Sequence, residues 1–142
     1  MKVNIDTNVF IAIKNKEPEY EYCETIIDSV EEHHLSGVIS TIVLAEILVG
    51  FYRNDENEEA DSFSSSAILN FDIIPVNQDV ARQAALIRAQ YNLKLPDAII
   101  SASSLITGAD FLITNDITLQ KKLKIQKVSP KEFVEKYLKI DK

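Results

Sequence analysis

The chain has 142 residues, a length that favours one domain, 1–142, able to bury a core without staples. Apolar residues make up 46% and charged residues 26%, the balance of a globular protein, and no apolar run is long enough to span a bilayer. The single cysteine, Cys23, excludes an internal disulfide and fits a reducing cytoplasm; charges at Lys2 and Asp6 spoil any signal peptide. The net charge of -7 argues against nucleic acid, but its distribution is uneven. From Ile117 onward eight Lys face three acidic residues, so the remainder is strongly acidic, and such asymmetry marks an interaction face.

In chain order, Val3 to Ile5 reads as a short strand, and Asp6-Thr7-Asn8 opens a helix through Val9, Phe10, Ile11 and Ile13. Pro18 starts a second helical stretch, with Tyr22, Ile26, Ile27 and Val30 at near-helical spacing. Gly37 is expected to end it, and His33 and His34 to sit in its last turn. Val38 to Ser40 is the second strand. Thr41 to Tyr52 is a helix apolar on more than one side, which implies several buried faces or a subunit interface. The acidic run Asp55 to Asp61 reads as a solvated turn before another helix.

Ile73 to Val76 is a third strand, near an edge because of Pro75. Val80, Ala84, Ile87 and Tyr91 form a helical stripe. Pro96 suits the first turn of a helix over Asp97 to Ile106, which Gly108 stops. Phe111 to Thr114 is the fourth strand, followed by a short helix through Leu119 and Leu123. Ile125 to Val128 is a fifth strand. Ser129-Pro130-Lys131-Glu132 matches a capping box opening a terminal helix. Strands alternate with helices throughout, so the expected fold is α/β: a parallel sheet of four to five short strands with helices on both faces.

Four carboxylates adjoin apolar runs: Asp6, Glu46, Asp97 and Asp116. Singly each has an ordinary reading. Asp6 and Asp116 are candidate helix caps, Asp97 complements a helix dipole, and Glu46 lies on an exposed helical stripe. Against that last reading, Ile42, Leu48 and Val49 surround Glu46 and suggest an apolar setting. Ligands of parallel sheets bind beyond the carboxyl ends of the strands, and the topology can bring all four acids there. Gathered carboxylates repel and stay protonated unless a cation holds them. The set therefore points to a site for Mg2+ or Mn2+ and to phosphate chemistry. Thr7, Asn8, Thr114 and Asn115 are small hydrogen-bonding neighbours suited to orienting the acids. Lys121, Lys122, Lys124 and Lys127 follow closely and are candidate phosphate contacts.

The segments Asp6-Thr7-Asn8, Leu44-Ala45-Glu46, Pro96-Asp97-Ala98-Ile99-Ile100 and Ile113-Thr114-Asn115-Asp116 resemble, in order and spacing, the four signature stretches of PIN domains. At this length the chain looks most like VapC-type toxins of toxin–antitoxin pairs. The resemblance implies a Mg2+- or Mn2+-dependent endoribonuclease whose acids are Asp6, Glu46, Asp97 and Asp116. Thr114 looks like the family's small hydroxyl residue before the last acid, and Ser40 or Thr41 like the hydroxyl before the helix bearing the Glu. It also implies a homodimer and an antitoxin that occupies a groove and blocks the active site. Two other classes compete. A haloacid-dehalogenase-type phosphatase needs a second Asp where this chain has Asn8. A non-catalytic PIN-like binding module would not require the intact acidic set.

Overall fold

The computed structural model describes residues 1–116 and 125–138. The elements are β1 (Lys2–Ile5), α1 (Thr7–Lys14), α2 (Tyr20–Glu31), β2 (Ser36–Ser40), α3 (Thr41–Arg53), α4 (Asn57–Asn70), β3 (Phe71–Ile74), α5 (Gln78–Tyr91), α6 (Leu95–Thr107), β4 (Phe111–Ile113), β5 (Lys127–Val128) and α7 (Pro130–Lys136). The expected helix through Leu119 and Leu123 lies outside the described residues, as do Lys121, Lys122 and Lys124.

The five strands form one sheet in the order β3-β2-β1-β4-β5. All four pairings are parallel. β1 is therefore central, with β2 on one side and β4 on the other. From β1 the chain winds outward through β2 and β3, then crosses back to β4. The gap between β1 and β4 is thus the point where the winding reverses. In open parallel sheets that crevice, at the carboxyl ends of the strands, is where ligands bind.

The main core joins the sheet to α1, α2, α3 and α7 through Ile5, Val9, Ile26, Ile39, Val43, Ile113 and Phe133. A smaller one lies between α5 and α6, built on Val80, Ala84, Ile87, Ala98 and Ala102. Helices thus cover the sheet as three layers, as the alternating pattern implies. One polar side chain is built into the centre. Asn4 on β1 donates from Nδ2 to the Ile100 carbonyl (3.1 Å) and to Ser104 Oγ (2.7 Å), tying the middle strand to α6.

Several local expectations hold. Asp6 caps α1, and Gly108 ends α6 in the left-handed region at φ 66°. Ser129 caps α7 through the Glu132 amide. The Glu132 carboxylate accepts from Lys136 Nζ at 2.9 Å, one turn on, rather than closing the box.

Other expectations shift. α2 begins at Tyr20 and ends at Glu31; His33, at φ 63°, turns the chain after it. Gly37 does not end that helix but lies inside β2. Its reason is close approach: a Cβ there would meet Val30 Cγ1 at 2.6 Å and the Phe71 ring at 2.8 Å. α4 starts at Asn57, so most of the acidic run is helical, with Glu58 and Glu59 in the first turn where the dipole favours them. β3 starts at Phe71, two residues early, and is an edge strand as Pro75 suggests. Among the described residues no helix is long and apolar enough to cross a membrane.

Candidate active site at the ends of β1 and β4

Asp6 follows β1 directly and is buried, at 5% exposure. Its position comes from both strands. The Asp6 amide donates to the Ile113 carbonyl of β4 at 3.0 Å. Oδ1 accepts from the Thr7 amide at 2.7 Å, the capping bond of α1. Oδ2 accepts from Thr114 Oγ1 at 2.7 Å and from Asn8 Nδ2 at 3.3 Å.

Thr114 uses its full hydrogen-bonding capacity. Its hydroxyl donates to Asp6 and accepts from Asn8 Nδ2 and the Asp116 amide, both at 3.0 Å. Asn8 returns the link, since its Oδ1 accepts from the Asn115 amide at 3.0 Å. The segment after β4 is thereby held against the first turn of α1. That lattice fixes the entry of Asp116 into the site. Cys23 is buried beneath, and burial pushes its thiol up while Asn115 donates toward it. It is a packed residue, as expected.

Glu46 departs from expectation. The apolar neighbours in sequence suggested a buried setting, but α3 turns Val43 and Ile47 to the core and leaves Glu46 exposed. It joins the site from the rim instead: Thr7 Oγ1 donates to Glu46 Oε1 at 2.7 Å. Asp97 stands in the first turn of α6, behind Pro96, and is partly buried.

The electrostatics tie these groups together. Burial raises Asp6 from 3.8 to about 6, with Thr114 and Thr7 opposing the rise and Asp97 and Glu46 adding to it. Asp97 is also raised, by burial first and then by repulsion from Asp116 and Glu46. Asp6 thus feels Asp97 and Glu46, and Asp97 feels Asp116 and Glu46, although the groups come from four separate segments. Thr7, Asn8, Thr114 and Asn115 are all found in the lattice that holds Asp6, Glu46 and the Asp116 amide.

One residue had a role that its sequence position did not disclose. Lys127 of β5, expected only as a phosphate contact, is half-buried beside the acids. Burial lowers it to about 8, while Asp116, Asp6 and Asp97 pull the other way. The only sequence signal was its closeness to Asp116. The arginines are uninformative by comparison; Arg88 donates to the Leu93 carbonyl and supports the α5–α6 turn.

The donor set is all carboxylate oxygen, the type that hard divalent cations take. Among the described residues no three His, Cys, Asp or Glu side chains are gathered closely enough to hold one ion as a closed cage. Mg2+ does not require such a cage, being held by one or two carboxylates with waters and substrate phosphate completing its shell. The residues therefore fit such an ion in chemistry and in mutual repulsion.

A parallel α/β sheet with acids at its winding reversal defines a class of fold and site. The family follows from the sequence: the PIN domain matches over residues 3–124, and the chain belongs to that family. Solved structures agree in fold. A toxin–antitoxin complex from Klebsiella pneumoniae aligns at 25% identity and TM-score 0.71, over 90% of this chain and 97% of that one. FitAcB from Neisseria gonorrhoeae aligns at 21% and 0.73, over 90% and 97%. The sarcin–ricin-loop-cleaving toxin VapC20 from Mycobacterium tuberculosis aligns at 16% and 0.64, over 87% and 98%. Among curated proteins none matches.

Proposed function

We propose that the chain is a divalent-metal-dependent endoribonuclease that hydrolyses RNA phosphodiester bonds, acting as the toxin of a toxin–antitoxin pair. The observation that carries the reading is the buried Asp6, raised toward neutrality at the crevice between β1 and β4 and facing Asp97 and Glu46. A carboxylate kept there at such cost, and oriented by Thr114, Asn8 and the Thr7 amide, is what a cation site requires.

Asp6 and Asp97 would be the principal ligands of Mg2+ or Mn2+, Asp116 a further one, and Glu46 a ligand or the group that orients the attacking water. When bound, the ion supplies acidification of water and neutralisation of charge at the phosphodiester. The chain's own residues set the geometry. Thr114 and Thr7 hold Asp6 ionised and aimed. Thr7 also fixes Glu46, so one short segment positions two acids.

Kinship supports the biological role. The Klebsiella pneumoniae structure is a toxin–antitoxin complex, and VapC20 cleaves the sarcin–ricin loop. For the antitoxin, the supporting feature is an apolar cavity of about 300 Å3 lined by Phe10, Ile27, Ile47, Phe51 and Phe63. For the homodimer it is a stripe on α3, where Ala45, Val49 and Tyr52 remain exposed.

The test is cleavage of total RNA by purified protein with Mg2+, Mn2+ or EDTA, beside Asp97→Asn, with RNA ends mapped by sequencing. Cuts that need metal and vanish in the variant are expected. Cuts that persist in EDTA or in the variant would refute the assignment.

A further inference from the structure

We infer that the Lys127 ammonium is a resident cation of the acidic rim, taking the place of a second divalent ion, so that the site binds one. This rests on the metal-dependent reading above and specifies how its charge is balanced.

The placement follows from the sheet. Among the described residues β5 is an edge strand paired with β4 alone, and its register sets Lys127 beside Leu112, which in turn lies beside Asn4 of β1. Laterally paired residues of a parallel sheet project to the same face. Asn4 declares which face that is, because its amide reaches Ile100 and Ser104 of α6. Lys127 therefore rises on the side of α6, the helix whose first turn carries Asp97. Backbone bonds on both sides of it, from Leu112 N to the Gln126 carbonyl (2.9 Å) and from Thr114 N to the Val128 carbonyl (3.1 Å), lock β5 to the strand that leads into Asp116. The ammonium is half-buried and faces Asp116, Asp6 and Asp97.

A lysine head is a compact point charge that carboxylates surround much as they surround an ion. Asp116, Asp6 and Asp97 are the three acids near enough to favour its charged form. A divalent ion must compete with that ammonium for the same oxygens, and the electrostatic return for a second ion falls accordingly. Lys127 is thus a positioning residue that sets the number and strength of ions held.

The test is titration of the full chain, stripped of metal, with Mn2+ alone. Calorimetry gives the affinity, and the electron paramagnetic resonance of free Mn2+ gives the number bound. Wild type and Lys127→Arg are expected to bind one ion alike. Lys127→Met is expected to bind a second ion, or to bind the first at least about tenfold tighter, because one positive charge leaves the rim. Lys127→Gln, which keeps a polar head, serves in its place if the Met variant does not melt cooperatively. Equal number and affinity in wild type and the neutral variants would overturn the inference while leaving the metal site intact. Two ions in wild type would do the same. Absence of Mn2+ binding in every protein would instead overturn the metal reading itself, and this inference with it.

Discussion

Asp6→Asn tests the energetic basis of the site. Asp6 lies at 5% exposure, and its titration is carried from 3.8 to about 6. Holding it ionised in the fold therefore costs about 3 kcal/mol above pH 6. The sign follows from proton counts. Below pH 4 both folded and unfolded chains carry the proton, and the cost is absent. Between pH 4 and pH 6 the unfolded chain loses it first, so stability falls as pH rises. Above pH 6 the cost is complete. An asparagine carries no such charge, but its amide must rearrange against Thr114, whose hydroxyl already accepts twice. That conflict offsets about 1 kcal/mol. The variant should thus be more stable than wild type by about 1–2 kcal/mol at pH 7.5, or roughly 3–7 °C in melting temperature for a domain of this size. Near pH 4 the advantage should vanish. Melts followed by circular dichroism in EDTA from pH 4 to 8 measure the gap. Added Mn2+ should raise wild type and leave the variant unmoved. Parallel pH profiles for the two proteins, or a wild type that gains on the variant from pH 4 to 6, would refute the argument.

Further predictions concern the surroundings. Thr114→Val removes the donor to Asp6 and the acceptor for Asn8 and the Asp116 amide; a loss of about 1–3 kcal/mol in urea unfolding and a marked drop in cleavage should follow. Thr7→Val frees Glu46 while leaving the backbone cap on Asp6, so cleavage should fall with melting temperature nearly unchanged. Gly37→Ala drives a methyl into Val30 and Phe71 and should cost about 1–3 kcal/mol in thermal unfolding, without touching the acids. Val49→Asp with Tyr52→Asp should convert a dimer to a monomer in light scattering after size exclusion; a wild type already monomeric at high concentration would remove α3 as an interface.

The sequence disclosed what depends on local pattern. Asp6 and Ser129 announced helix starts because a cap acts within a few residues of itself. The alternation of strands and helices implied the parallel sheet, and with it a rim for the acids. What failed was non-local. Gly37 looked like a helix stop because glycine serves both turns and close packing, and only the proximity of Val30 and Phe71 distinguishes them. Glu46 looked enclosed because its neighbours in sequence are apolar, while three-dimensional packing decided which of them α3 buries. Its bond to Thr7 spans 39 positions and leaves no trace in spacing. Lys127 likewise needs the register of β5 on β4 before its proximity to the acids exists.

The centrality of β1 carries a consequence for synthesis. The strand in the middle of the sheet comes from residues 2 to 5, and one of its two neighbours, β4, begins at Phe111. The Thr114–Asp6 bond joins positions 108 apart. On the ribosome, β1 is thus left with one side open while about a hundred further residues are made. The crevice has only one wall until β4 arrives. The contact of Thr114 with Asp6, and with it the two-walled crevice, therefore forms only when the sheet closes around its first strand.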